Sequence, residues 1–487
     1  MNVLAPSEPL DSGRAAHPGG RRAFFVCSCV VSALLISAAG AFAQTTASLS
    51  TDPFPGESEQ QLVQPSGPNQ PPVTITLTDA IARAKKVDAQ FQAAALAVKS
   101  AQEDRLQARN AILPSITYRT EALLTEGNGK TSVGRFVTND GVHVYRAWGI
   151  LHEDLSPGNY LAIGYRRAGA AEAIASAEAE IASRGLTVTV TKLYYALAVA
   201  QRKYATAQQA RDTAKHFLTI TQDAERVGQS AHSDVVQAEI QYRQTEQAFS
   251  DAALGIESAR LDLAVVLFPA LNENFTVVDD LDSPVALPAF SEAERLAEHE
   301  NPDLRVAMES LREADLDVSS AKADFLPAFY TDSAYGIEAN DFALHSENIE
   351  EKQAGVVPNL GYFVTVGVNV PVWDWGTLRS KLHQAEFKRE QARTELSQAQ
   401  RQLVSNLYSS YNEASVARAS VERARGTADL AAESLRLINL RYQGGVSSAL
   451  EVVSAESALT QARDAYDDAE VRYRLALAVL QTTTGSF

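Results

Sequence analysis

Cysteine is almost missing from this 487-residue sequence; there are two, Cys27 and Cys29, both close to the start. Both fall in a stretch that reads as an export signal, so from Gln44 onward no disulfide, thiolate metal site or cysteine nucleophile can form. Long apolar runs are missing too. After Gln44 nothing approaches the roughly 20 apolar residues of a membrane-spanning helix, and Leu263 to Phe268 is among the longest runs. If the chain enters a membrane, it must do so with strands. Proline is absent from Gly158 to Phe268 and from Val372 to Phe487, runs of 111 and 116 residues. Because proline interrupts helix interiors, such runs permit very long helices. Positive charge is in deficit, with 43 Lys+Arg against 60 Asp+Glu and a net charge of −17, which excludes a nucleic-acid partner. Catalytic signatures are lacking as well. The histidines are scattered without ligand spacing, and no glycine-rich phosphate loop or G-x-S-x-G elbow is present. The expectation is no enzyme, no cofactor and no metal, with His152-Glu153-Asp154 read as a solvated strand end rather than a metal cluster.

What is present begins with residues 1–43, read as a cleaved signal. Arg21 and Arg22 precede the apolar stretch Ala23 to Ala39, and Ala41-Phe42-Ala43 forms an A-x-A-like cleavage site. An ordinary secretory signal is the first reading and a twin-arginine signal the second. Residues 44–76, with Pro53, Pro55, Pro65, Pro68, Pro71 and Pro72 among polar residues, read as an extended arm.

The rest is written twice. Leu77-Thr78-Asp79-Ala80 aligns with Phe290-Ser291-Glu292-Ala293, and Ala108 to Pro114 with Ala321 to Pro327, both at an offset of 213. Gly228 to Glu239 matches Gly445 to Glu456 at an offset of 217. The predicted repeats are 77–285 and 286–487. Each starts with a helix (Leu77 to Ile112 in the first) that a Leu-Pro pair ends. A strand pair follows, within 115–151 and 328–372. Alternation is clearest where Tyr362, Val364, Val366, Val368, Val370 and Val372 interleave with Phe363, Thr365, Gly367 and Asn369. It is noisiest at Val142 to Leu151, where Arg146 falls among Val142, Val144, Trp148 and Ile150. Polar loops, Glu126 to Gly141 and Glu338 to Asn359, are predicted between the paired strands. Long helical runs, Gly158 to Val227 and Gly376 to Gln443, then lead to turns near 228 and 445 and to returning helices. Roughly 68 residues at 1.5 Å each make a rod of about 100 Å. A simple dimeric coiled coil would account for the rods but leaves four strands unexplained.

Four strands cannot close a membrane barrel, since about eight is the minimum and open edges cannot face lipid. Copies must therefore join. Three would give twelve strands; two or four also give even totals. The predicted fold is mainly α with a transmembrane β part: long helical hairpins plus four strands per protomer, assembling as an α-helical barrel topped by a β-barrel.

The duplicated order of strand pair and helical hairpin resembles the TolC family of outer-membrane efflux factors. The resemblance is carried by Arg441 to Glu456 (RYQGGVSSALEVVSAE), by Glu225 to Glu239 (ERVGQSAHSDVVQAE), by the Leu-Pro helix ends and by Pro371 to Gly376 (PVWDWG). Glu153 to Gly158 departs from that last pattern. The resemblance implies a homotrimer with a 12-stranded β-barrel in outer-membrane lipid. It also implies a helical barrel in the periplasm, a periplasmic adaptor and an inner-membrane pump as partners, and passive conduction of small molecules such as drugs. It further implies an iris-like periplasmic gate to which Tyr442, Asp234, Ser233 and Glu451 correspond, and hairpin tips with adaptor contact at Gly228, Gly444 and Gly445. Ser447 stands where the family's latch arginine would be, and Ser454 where a second constriction acid would be, so a looser latch is expected. Read without the resemblance, Gly228 and Gly445 are helix-reversal glycines, Asp234 and Glu451 first-turn helix acids, and Tyr442 a packed side chain. The alternatives for function are a type I protein-secretion or metal-efflux duct and, from another class, a periplasmic coiled-coil adaptor or structural protein.

Overall fold

The computed structural model describes residues 72–124, 143–228, 230–269, 274–339, 342–347, 356–444 and 446–485. The predicted signal, the arm up to residue 71, the whole of the first polar loop and Gly445 lie outside them.

Two elements dominate. Helix α4 (Ile163–Arg226) has 64 residues and α8 (Thr377–Gln443) has 67, rods of roughly 96 and 100 Å at 1.5 Å per residue. Each is flanked by two shorter helices laid nearly end to end. Along α4 these are α2 (Ala89–Asn110), near the sheet, and α5 (His232–Leu267), which returns from the tip. On the other side of α4, α7 (Pro302–Ala323) and α9 (Ala449–Thr484) occupy the space between it and α8. The arithmetic fits, because 22 and 36 residues together nearly span the 64 of α4. Alanine at the contacts lets the axes approach. Ala414 and Ala417 of α8 are buried against Tyr473, Ala476 and Leu477 of α9, and Ala385 of α8 against Val318 and Ala321 of α7.

Where short helices meet, side chains hold the ends. The buried Arg184 of α4 donates to the carbonyls of Thr482 (2.6 Å) and Glu300 (3.0 Å) and pairs with Glu180. Asn301 accepts from the Leu304 N–H at 2.9 Å and donates to the Thr483 carbonyl at 3.2 Å, so the start of α7 and the end of α9 share a fastening. The predicted unbroken helix Leu77 to Ile112 is a correction. It is two helices, α1 (Leu77–Val87) and α2, because Asp88 adopts extended backbone (ψ 121°) and its carboxylate caps α2 by accepting from the Phe91 N–H at 2.7 Å. Asn301 makes the same break between α6 (Phe290–Glu300) and α7, 213 residues on.

The arm also needs correcting at its end. Val73–Ile75 is strand β1, paired in parallel with β4 (Phe275–Val277). With α1 this small sheet covers the middle of α4. Ile75, Ala80, Ala84, Val190, Tyr194, Leu197, Leu263, Leu267 and Leu281 form the largest buried cluster. Period-two alternation cannot be read from three residues, which is why these strands escaped sequence reading.

The main sheet has order β2 (Ser115–Leu124), β3 (His143–Leu155), β5 (Ala328–Ala339), β8 (Leu360–Asn369), all antiparallel. Two three-residue strands, β6 (His345–Glu347) and β7 (Val356–Pro358), pair within what was predicted as a polar loop. A four-residue helix, α3 (Pro157–Tyr160), follows β3, and each long helix is entered through a left-handed residue, Ala162 (φ 51°) and Trp375 (φ 57°), again 213 apart.

Tyr194 is the polar pin of the central cluster. Its hydroxyl reaches the carbonyls of Val278 (2.7 Å) and Ile75 (3.2 Å) and accepts from the Val278 N–H (3.0 Å). Tyr194→Phe removes the hydroxyl that donates to the Val278 carbonyl and the shorter of the two acceptors of the Val278 N–H, the Ile75 carbonyl at 3.2 Å remaining, an expected loss of about 1 kcal/mol. A lowered thermal midpoint of the purified protein is the readout, and an unchanged midpoint would refute it.

Candidate functional site

The sheet has two chemically distinct faces. One aligns Ile116, Tyr118, Ala122 and Leu124 of β2 with Tyr145, Ala147, Gly149 and Leu151 of β3, Tyr335 and Ile337 of β5, and Leu360, Tyr362, Val364 and Val366 of β8. Large side chains there stand bare, Ile116 81%, Tyr362 80% and Val366 75% exposed, while Ala147 is buried. The opposite face carries Arg119, Glu121, Arg146, His152, Asp332 and Glu338. Arg146 donates to Glu338 at 2.9 Å and lies 3.8 Å from Glu121, while His152 Nδ1 stands 2.6 Å from Asp332. This reverses the expected polarity of β3. Val144, Arg146, Trp148 and Ile150 lie on the charged face, where Trp148 is buried edge-on against Phe363 at 5.1 Å, and the odd-numbered residues carry the apolar face. Arg146 is therefore in register with two carboxylates rather than an intruder in an apolar row. Gly336 opposite Trp148 is required by close approach, since a Cβ there would lie 1.9 Å from the Ala147 carbonyl oxygen.

At the far end of the rods, both hairpins meet in one apolar knot. Phe217 of α4, Ala238 of α5 and Ala449, Val452 and Val453 of α9 are buried together, with Ile438 and Tyr442 of α8 packed against them. The Tyr442 ring lies 5.2 Å from that of Phe217. Asp234, in the first turn of α5, accepts from the Ser230 hydroxyl at 3.2 Å, and Ser233 beside it is exposed. Among the described residues Tyr442 and Asp234 are not brought into a hydrogen bond. Glu451 completes a capping box with Ser448 and accepts from the Ser447 hydroxyl at 2.6 Å, with Arg441 3.9 Å away. The Ser447 hydroxyl, then the Ser448 N–H, hold its carboxyl below the usual range. The pair Ser447/Glu451 repeats Ser230/Asp234 at the offset of 217. Gly228 takes φ +75°, as a helix reversal requires, whereas Gly444 has φ −82° and its N–H reaches the Leu440 carbonyl at 3.1 Å. Ser454 is exposed.

The sequence reading missed a row of enclosed acids on α9. Burial pushes the carboxyls of Asp464, Asp467 and Glu470 upward, and that of Glu456 to about 7. Glu456 lines a cleft of about 530 Å³ between α4, α5 and α9, which Lys203, Asp251 and Asp464 also line. Asp467 receives Arg202, which also holds Asp279 and Asp282 of the linker after β4. No group of three potential metal ligands occurs among the described residues, and no helix there is long and apolar enough to cross a membrane.

The family model for outer membrane efflux proteins matches residues 80–267 and 295–486, one stretch in each repeat. The chain is similar to the alkaline protease secretion protein AprF of Pseudomonas aeruginosa, 24% identical over 427 residues with 84% of each chain covered. It is similar to the outer membrane efflux protein BepC of Brucella suis, 23% identical over 425 residues, covering 85% of this chain and 86% of that one. Among solved structures, the outer-membrane channel OprN superposes with a TM-score of 0.67 at 18% identity, covering 84% of this chain and 90% of that chain.

Two outcomes are expected at the tips. Ser448→Ala removes the side-chain acceptor of the Glu451 N–H and should cost about 1 kcal/mol of local stability, seen as faster hydrogen exchange at residues 449–452 with the rods unchanged. For Glu456 the folded-state value lies above the ordinary 4.5, so the packing it joins is strongest below pH 4.5 and weakens as pH rises toward about 7. Glu456→Gln should remove that slope from the thermal midpoint measured between pH 5 and 8; an unaltered slope would assign it elsewhere.

Proposed function

The chain belongs to the outer membrane efflux protein family, and on that footing we propose that it is the outer-membrane exit duct of a tripartite efflux pump. Three copies contribute twelve strands to one barrel, and their rods continue it into the periplasm toward an adaptor and an inner-membrane pump. Residues 1–43 are the export signal, 44–76 lead into the duct, and 77–285 and 286–487 are its two repeats. Small molecules pass down their gradient, and the pump supplies the energy.

The observation that carries this reading is the sheet. Its outward face is mainly apolar, with Thr120, Glu153, Thr331 and Ser333 among the aliphatic and aromatic residues, its inner face bears paired charges, and among the described residues β2 and β8 each keep an edge unpaired. Lipid does not hydrogen-bond open edges, so neighbouring copies must complete them. Rods of about 100 Å match a conduit better than an adaptor, which needs one hairpin and not two.

At the periplasmic end, Tyr442, Asp234, Ser233 and Glu451 form the gate, and the tips at Gly228, Gly444 and Gly445 meet the adaptor. Three copies of Glu451 would ring the entrance with carboxylates and favour cations. With Ser447 in place of a latch arginine, the gate lacks a charge-assisted bond and closes loosely. A second reading, export of a folded or unfolded protein, is favoured by the likeness to a protease secretion protein. Loss of the gene distinguishes the two: drug sensitivity supports the first, and a missing secreted protein the second.

The central test is purification from outer-membrane fractions followed by planar-bilayer recording. Heat-sensitive trimers with a conductance are expected; a soluble monomer without sheet signal would overturn the duct. On the same footing, Ser447→Arg should lower single-channel conductance severalfold by giving Asp234 a cationic partner, and unchanged conductance would remove these residues from the gate.

A further inference from the structure

All four junctions between the sheet and the rods carry the same two features. At the end of α2, Arg109 in the last turn is followed by Leu113, 61% exposed. At the end of α7, Lys322 is followed by Phe325 and Leu326, 44% and 52% exposed. At the start of α4, Tyr160 and Leu161 (83% and 50%) precede Arg166, and at the start of α8, Trp373 and Trp375 (74% and 88%) precede Arg379. Arg109, Arg166, Lys322 and Arg379 are exposed and make no ion pair among the described residues. This happens in a chain with 17 more negative than positive charges.

Helix electrostatics accounts for half of the pattern. Arg109 and Lys322 sit at helix C-termini, where the dipole favours cations. Arg166 and Arg379 stand against it, within the first four residues of α4 and α8, and neither first turn contains the acid that the dipole prefers. Just outside α8 the Asp374 carboxylate accepts from the Gly376 and Leu378 N–H groups, yet among the described residues the Arg166 and Arg379 guanidinium groups stay unpaired beside an exposed apolar or aromatic group at the start of each long helix. Trp373 and Trp375 follow β8 by four and six residues and Tyr160 follows β3 by five, at the level where tryptophan and tyrosine settle at a membrane surface. Arg379 begins about one turn, roughly 5 Å, further along, a distance comparable to the thickness of one headgroup layer.

We propose that this collar of four cations and adjoining apolar side chains selects anionic phospholipids, such as phosphatidylglycerol, from the leaflet facing the periplasm. The proposal rests on the duct reading, which places the sheet in the membrane. The phosphodiester and the net negative headgroup supply the missing countercharge, and the acyl chains lie against the apolar sheet face. A neutral zwitterionic headgroup brings its own cation and leaves the collar unmatched.

Two of the chain's three tryptophans, Trp373 and Trp375, lie in the collar, and the third, Trp148, is buried, so fluorescence reports on it. Full trimers are reconstituted into phosphatidylethanolamine vesicles with phosphatidylglycerol, the bromine quencher being carried by one lipid or the other at the same mole fraction. Quenching at least about twofold stronger by brominated phosphatidylglycerol is expected. Each basic residue near an anionic surface contributes about fivefold in local binding, so R109Q/R166Q/K322Q/R379Q should abolish the preference. R109K/R166K/R379K should keep it, as should K192Q/K215Q/R243Q/R436Q, which removes equal charge from the rods. Equal quenching by both lipids, or equal loss in the rod variant, would overturn the proposal. So would cancellation of the difference by inorganic phosphate at constant ionic strength, which marks a free-anion site. Conductance of the same vesicles is read in parallel: conduction without lipid preference removes only the collar, whereas no conduction removes the duct reading itself.

Discussion

Open strand edges next to an apolar surface constrain everything else in this protein. The peptide groups along the free edges of β2 and β8 need hydrogen-bond partners, and a hydrocarbon surrounding has none to offer. The same strands expose Ile116, Tyr362 and Val366 to an extent that water disfavours. The proposed duct meets both demands with a cylinder closed by other copies, the apolar face outward. The charged face, with Arg146 between Glu121 and Glu338, then lines the interior.

A cylinder made this way must be continued by helices of matching circumference, and the protomer does so by splicing. Neither α2 nor α5 spans α4 alone, but together they nearly do, and α7 with α9 fill the gap to α8. The splice is a weak point in a continuous wall, since helix ends carry unmet carbonyls and N–H groups. Arg184 and Asn301 meet these needs on one side of α4. On the other side, the β1/β4 pair and Tyr194 bind α1 into the wall. The Arg202 cluster ties the linker after β4 to α9; burial alone would lower the Arg202 pKa, but its three carboxylate partners raise it instead.

The two repeats differ at their tips. Both tips keep a serine bonded to a first-turn acid, Ser230 with Asp234 and Ser447 with Glu451. Only the second tip adds a capping box, so α9 begins more firmly than α5. Tyr442 is held by Phe217 and the shared apolar knot, which joins the hairpins through packing.

Much of this was legible from residue order. Proline-free runs announced the rods, the 213-residue offset announced the duplication, and the alternation from Tyr362 onward announced β8. These are local signals, written in periodicity and helix breaking. The break at Asp88 and Asn301 was legible in principle, because both are N-cap residues and Pro302 follows one of them, but alternation and helical propensity on either side masked it. Register was not legible. Which side of β3 is apolar depends on Glu121 and Glu338 lying across from Arg146, and those partners are 25 and 192 residues away. The enclosed acids of α9, the three-residue β1/β4 pair and the meeting of cation and exposed ring at each of four junctions depend likewise on what lies alongside. Residue order determined the elements and their twofold repetition, since these follow from neighbours along the chain. Only the tertiary structure decided the sheet's faces, the splices and the collar, because burial and charge pairing are properties of neighbours in space.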